Sequence, residues 1–252
     1  MKRRALVTGA AAGLAAGIAP ALVASGFESV AITYRTTPPD ATLAAIRAAG
    51  ARGDAVRIDF LDDPAAIAAQ LATFVGAYGP FDTLVHAVGP LLVRRFERTT
   101  IADYDEMFDG NVRSAVLCAH AVLPGMREAR FGRLVFFGMN GASQTVPYHG
   151  FALHQAAKSA VVAFARSLAL EEAAHGITVN VIEPGDIRKK SIDREQARAT
   201  VGGTPRGRTG SYQDVADVVG FLVGADRDFV TGAVIGVTGG LKGAAERNGS
   251  DQ

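Results

Sequence analysis

Tryptophan is absent from the 252 residues, and cysteine occurs once, at position 118. A single cysteine excludes an internal disulfide, so stability has to come from a hydrophobic core, and a reducing cytosol is the expected compartment. Cys118 sits in the apolar run Ala115–Ala119, which points to a buried, inert thiol. An excess of charge is also missing. Twenty-six Lys and Arg face 25 Asp and Glu, a net +1. Nothing therefore draws the chain electrostatically to nucleic acid or to an anionic membrane. No apolar run reaches the roughly 20 residues of a membrane span. The start, Met1-Lys2-Arg3-Arg4, has the charge of a signal peptide, but a Thr-Gly turn and Pro20 follow it rather than a continuous apolar segment. The five histidines show no metal-ligand spacing, so no metal is expected.

What is present is a hydrophobic fraction of 48% with 29 glycines. Short β-rich runs alternate with longer helical ones. Strands are expected at Arg4–Thr8, Ser29–Tyr34, Ala55–Asp59, Thr83–His86, Leu134–Phe137, Ile177–Ile182 and Ala233–Val237. Helices are expected at Gly13–Ser25, Pro39–Ala49, Asp63–Tyr78, Ile101–Arg127, Phe151–Ala174 and Ser211–Val223. Strands this apolar, separated by helices, describe a doubly wound α/β fold: a parallel sheet covered on both faces. No repeat or linker interrupts it, so residues 1–242 read as one domain and 243–252 as a polar tail. The polar, Gly-rich stretch Arg188–Gly210 follows a strand end, where a doubly wound sheet carries a mobile substrate lid.

The first strand runs into Thr8-Gly9-Ala10-Ala11-Ala12-Gly13-Leu14-Ala15 and then a helix. Gly9 allows the sharp turn and Gly13 a close backbone approach. The helix start offers N–H groups to an anion, as a dinucleotide pyrophosphate requires. Gly9, Ala12, Gly13 and Leu14 are the expected contacts. The second strand ends Thr33-Tyr34-Arg35-Thr36, without the carboxylate that binds a ribose 2′-hydroxyl. Arg35 instead suits a 2′-phosphate, so NADP(H) is favoured over NAD(H), with Tyr34 and Thr36 beside it. Asp59 ends the expected third strand, where its carboxylate accepts from the adenine amino group, next to Phe60.

These residues resemble the classical short-chain dehydrogenase/reductases over nearly the whole chain. Thr8–Ala15 looks like the family's Gly-rich turn, His86-Ala87-Val88-Gly89 stands where the family has Asn-Asn-Ala-Gly, and Asn111 matches its helix asparagine. Lys158 matches the lysine of Tyr-x-x-x-Lys. Pro184-Gly185 matches the Pro-Gly beside the nicotinamide, with Ile187 just beyond. Thr231-Gly232 and Gly239-Gly240 match the C-terminal signature. The resemblance implies a Rossmann-like sheet of seven parallel strands, an NAD(P) site reaching Ala87, Val88, Gly89, Lys158, Pro184, Gly185 and Ile187, a small-molecule substrate, and a homo-oligomer, tetramer or dimer. The expected catalytic set is Asn111, His154 and Lys158.

Two departures weigh on the chemistry. The family's catalytic tyrosine position, four residues before the lysine, is His154, and its serine position is best matched by Met139. His154 lies one helical turn from Lys158 on the same face, and imidazole suits acid–base work near neutrality. Tyr148 is a second candidate, on a Pro147–Gly150 loop that either folds inward or presents an exposed aromatic. Asn140 or Ser143 stands in for the missing serine. His86 either lines the pocket or is satisfied by backbone; Glu183 is either an acid–base group or a strand-end charge. The function read from this is NADP(H)-dependent hydride exchange with a carbonyl or alcohol, using a non-standard proton donor. Two alternatives stay open: a dinucleotide-binding sensor or structural subunit with little reductase activity, and redox-neutral chemistry on the same fold.

Overall fold

The computed structural model describes residues 2–187 and 192–241. Seven parallel strands form one sheet in the order β3-β2-β1-β4-β5-β6-β7. They are β1 (Arg3–Thr8), β2 (Phe27–Tyr34), β3 (Arg52–Arg57), β4 (Thr83–His86), β5 (Gly132–Phe137), β6 (Ile177–Pro184) and β7 (Val234–Val237). The order reverses between β1 and β4, which is where such a sheet opens a crevice at its carboxyl ends.

Both faces of the sheet are covered, and the alternation of side chains along each strand divides the core in two. Leu6 of β1 joins Leu84, Leu134 and Phe136 against α3 (Pro64–Tyr78), α5 (Ser114–Ala129) and α6 (Ala152–Glu172). Ala5 and Val7 point the other way. They join Val85 and Val135 against α1 (Gly13–Ala21), α2 (Asp40–Ala48) and α8 (Tyr212–Leu222). Cys118 lies in the first of these layers, and burial pushes its thiol pKa up, as an inert core thiol requires.

Several expected elements need correction. The third strand runs Arg52–Arg57, not Ala55–Asp59, because its register pairs Arg52 with Ser29 and Arg57 with Tyr34. As an edge strand it accepts Arg52, Gly53 and Asp54, which apolar patterning passes over. The helix expected over Ile101–Arg127 is α4 (Ile101–Phe108), a π-helical turn at Asp109–Arg113, then α5. Asn111 Nδ2 donates to the Met107 carbonyl at 2.9 Å and Ser114 Oγ to the Gly110 carbonyl at 2.7 Å, so side chains take ladder acceptors and the winding loosens there. Of the expected lid, residues 188–191 lie outside the described residues, as does the tail 243–252. Residues 192–210 carry regular elements. The short helix α7 (Arg194–Arg198) and a bridge between Val201 and Arg208 order them, and Thr204 and Thr209 are buried. No described helix is long and apolar enough to cross a membrane.

Candidate cofactor and substrate site

Gly9 and Gly13 both sit at positive φ, +67° and +66°, so the turn after β1 depends on residues without a Cβ. The turn is tied to β2: Gly9 N–H donates to Thr33 Oγ1 and Ala10 N–H to the Thr33 carbonyl, each at 3.0 Å. Ala12, the residue before α1, offers no side-chain cap. The first N–H groups of α1 therefore remain available to a ligand, and the helix dipole favours an anion. Ala15, where the family often has a third glycine, is buried and packs in the core without opening the helix.

A cavity of about 680 Å³ starts at this turn and crosses the carboxyl ends of β1, β2, β4, β5 and β6. At one end it is lined by Tyr34, Arg35, Asp59 and Phe60, and under the turn by Ala12, Gly13 and Leu14. Ala87, Val88 and Gly89 follow β4, and Pro184, Gly185 and Ile187 follow β6. His154 and Lys158 enter from α6, and Met139, Asn140, Tyr148 and Phe151 from the loop between β5 and α6. The structure thus brings the expected cofactor residues together around one cavity. The exception is Thr36, which is exposed one residue past Arg35 and outside the cavity lining. Asp59 lines the cavity from two residues beyond the end of β3, and its carboxylate also accepts from Leu61 N–H at 3.1 Å.

Asn111 and Lys158 meet at Gly89. A Cβ built on Gly89 would stand 2.5 Å from Asn111 Oδ1 and 2.8 Å from Lys158 Nζ. Asn111 is held by its amide, which donates to the Pro90 and Met107 carbonyls, while its Oδ1 is buried with no hydrogen-bond partner among the described residues. Lys158 Nζ donates to the Phe137 carbonyl at 3.0 Å. An orphaned acceptor beside a buried ammonium, both facing a glycine that leaves space, is a setting a ribose diol satisfies: hydroxyls donate to the one and accept from the other. The residues present therefore fit a nicotinamide dinucleotide.

His86 does not line the cavity. It is buried between Thr8 Oγ1 and Ser114 Oγ, so side chains rather than backbone satisfy it. Burial, and then the Lys158 charge, lower its pKa to about 3. Glu183 is likewise structural: its carboxylate accepts from Gly141 N–H at 3.1 Å and Ser143 N–H at 2.7 Å, fixing the loop after β5. Ser143 is absent from the cavity lining, whereas Asn140 lines it. Tyr148 is not an exposed aromatic. It lines the cavity with its hydroxyl buried, and its ring packs on Phe151, which packs in turn on His154. Sequence reading passed over Arg57, whose Nε donates to the Arg35 carbonyl at 3.0 Å, which sets a second guanidinium beside Arg35 but outside the cavity lining. No group of His, Cys, Asp and Glu among the described residues has a metal-binding arrangement.

Residues 9–242 match the family model described as enoyl-(acyl carrier protein) reductase. The chain is 34% identical over 253 residues to "Putative oxidoreductase YtkK" of Bacillus subtilis (strain 168), covering 95% of this chain and 96% of that protein. It is 30% identical over 240 residues to the 3-oxoacyl-(acyl-carrier-protein) reductase FabG of Escherichia coli (strain K12), covering 94% and 96%. Among solved structures, acetoin dehydrogenase from Enterobacter cloacae superposes with a TM-score of 0.84 at 26% identity, covering 95% of each chain. A blue fluorescent protein from a metagenomic library, in complex with NADPH, superposes with a TM-score of 0.82 at 31% identity, covering 94% of this chain and 97% of that one.

Proposed function

The chain belongs to the short-chain dehydrogenase/reductase family of oxidoreductase enzymes, and from that premise we propose that it exchanges a hydride between NADP(H) and a carbonyl or alcohol substrate. The observation that carries this reading is the continuity of one cavity from Arg35, at the end of β2, to His154 and Lys158 on α6. That span joins a cationic end suited to a 2′-phosphate with a buried polar end suited to the reacting groups. Arg57 beside Arg35 adds a second cation at the phosphate end. The NADPH-bound relative supports the choice of dinucleotide.

The nicotinamide supplies the hydride; the chain supplies position, anion contacts and a proton. The uncapped start of α1 would hold the pyrophosphate. Asn111 Oδ1 and Lys158 Nζ would hold the ribose. His154 stands where the family carries its tyrosine, and Met139 where it carries its serine. As imidazolium, His154 would give its ring N–H proton to the substrate oxygen as the carbonyl carbon is reduced, would be left as neutral imidazole, and would be reprotonated by a solvent hydronium ion. The carbonyl becomes an alcohol, and charge and protons balance. The 3-oxoacyl thioesters named for the Escherichia coli relative are the first substrates to test. Leu91, Met139 and Phe151 give that end of the cavity an apolar wall for an acyl chain.

The test is NADPH binding by titration calorimetry, followed by NADPH oxidation against 3-oxoacyl thioesters and a panel of ketones. Turnover is expected, and His154→Ala lowers it at least about tenfold, the lower part of what a positioned acid contributes. A full-rate His154→Ala protein removes the role given to His154. Tight NADPH binding with no turnover on any carbonyl replaces the reductase reading with a dinucleotide-binding sensor or structural subunit. Activity that persists without added dinucleotide replaces it with redox-neutral chemistry.

A further inference from the structure

The loop from Met139 to Phe151 is fixed more firmly than its length and composition suggest. Gly141 takes a left-handed conformation, φ +79°, and Thr145 does so without being glycine, φ +53°. Between them Ala142–Gln144 forms a 3₁₀ turn. Val146 N–H closes back on the Gly141 carbonyl at 2.9 Å, and Ser159 Oγ of α6 donates to the Ala142 carbonyl at 3.0 Å. Both Glu183 oxygens accept loop N–H groups from beneath, and at the far end Arg94 N–H donates to the Gly150 carbonyl at 2.8 Å. A strained, multiply anchored loop of this kind holds a particular side chain in a particular place.

The side chain it holds toward the cavity is Tyr148. Its ring is pinned against Phe151, and its hydroxyl is fully buried with no hydrogen-bond partner among the described residues. A Cβ built on Gly141 would stand 3.6 Å from that hydroxyl, which brings the phenol to the base of the same loop that carries Met139 and Asn140. Leaving a hydroxyl buried and unpaired costs about 1–3 kcal/mol, and phenylalanine would fill the same space without that cost. The hydroxyl is therefore expected to have a partner that enters the cavity.

We propose that Tyr148 is a catalytic residue of this site, its phenol O–H donating a hydrogen bond to the substrate carbonyl oxygen, the contact that Met139 lacks the atoms to make. This rests on the reductase reading above and assigns to a loop tyrosine, ten residues before Lys158, the second donor beside His154. The bond strengthens as the oxygen gains negative charge during hydride transfer, so it favours the transition state over the ground state. Burial, and then the Glu183 carboxylate, hold the phenol above its ordinary pKa, so it keeps its proton through the neutral range.

The experiment is Tyr148→Phe, which keeps the ring and removes one oxygen. In NADPH-dependent carbonyl reduction kcat is expected to fall at least about tenfold, with NADPH affinity within twofold of the unaltered protein and Tm unchanged or higher. A smaller fall in kcat overturns the proposal, because a merely polar wall residue is then sufficient. A fall that comes with an equal loss of NADPH affinity also overturns it, because the hydroxyl then serves the cofactor. If the unaltered protein turns over no carbonyl, the reductase reading fails and this proposal with it. An active unaltered protein with an equally active Tyr148→Phe variant overturns this proposal alone.

Discussion

Thr8 and His86 are register partners at the ends of the neighbouring strands β1 and β4, with Thr8 Oγ1 3.0 Å from His86 Nδ1. The direction of that bond follows from its neighbours. Thr8 Oγ1 accepts from Ala87 N–H and Val88 N–H, so its own proton goes to Nδ1. His86 Nε2 then carries the ring proton and donates to Ser114 Oγ, and Ser114 donates to the Gly110 carbonyl in the π turn beside Asn111. One neutral imidazole thus ties the Gly-rich turn to the segment that positions Asn111.

That assignment predicts a pH dependence of stability. His86 stays neutral in the folded protein down to about pH 3, whereas the unfolded chain protonates it near 6.5. Between those values the unfolded state binds more protons, so the stabilisation is complete above pH 6.5 and is lost as pH falls toward 3. The loss is on the order of a few kcal/mol. His86→Asn, which keeps a hydrogen-bonding side chain without that titration, should flatten the change in Tm between about pH 7.5 and pH 5. Thermal melts followed by circular dichroism read it, and an unaltered slope in the variant rules the assignment out.

Gly89 gives the second prediction. A methyl at this position would overlap Asn111 Oδ1 and Lys158 Nζ. Lys158 is flexible enough to yield, but Asn111 is fixed by two amide hydrogen bonds. Gly89→Ala should therefore displace the pair that faces the ribose and weaken NADPH binding at least about tenfold, or roughly 1.4 kcal/mol. Titration calorimetry with NADPH measures this, and an unchanged Kd would show that the two groups do not hold the cofactor.

Much of this was legible in the sequence because it is local. The turn at Gly9 and Gly13 and Arg35 at a strand end follow from short motifs, and His154 lies one helical turn from the lysine that the family resemblance marks. The seven strands were legible for the same reason, except at β3, where edge position relaxes the apolar pattern. The π turn at Asn111 was hidden because it depends on which carbonyl a side chain captures. The inward path of Tyr148 was hidden because Glu183, forty-two residues beyond Gly141, anchors the loop that carries it. Arg57 was passed over because the expected strand ran through it to Asp59.

Arg35 supplies the third prediction. Arg35 lines the cavity end where a 2′-phosphate would lie, and it is exposed, so its worth there comes from pairing with a dianion rather than from packing. Arg35→Ala should raise the Kd for NADPH about tenfold or more, leave that for NADH within about twofold, and leave Tm unchanged. Parallel titrations with the two dinucleotides check it. An equal loss for both would place Arg35 against the adenine or the pyrophosphate instead of the 2′-phosphate.

Glu183 separates loop order from chemistry, and so tests the site from beneath. Its two carboxylate oxygens accept one N–H each, from Gly141 and Ser143, and it is buried below the loop that carries Tyr148. Glu183→Gln keeps the volume but turns one acceptor into a donor. One loop N–H then faces another N–H in a buried place, at a cost of about 1–3 kcal/mol. For a chain of this size that is a fall in Tm of about 2–12 °C. Turnover should fall as well, because the phenol is no longer held in place, whereas NADPH affinity should be preserved at the Arg35 end. Tyr148→Phe leaves the loop anchored and removes only the donor, so it should lower kcat without lowering Tm. A Glu183→Gln protein that melts with the unaltered chain would mean the loop is held by its own turns, and Gly141 and Thr145 would then be the positions that fix Tyr148.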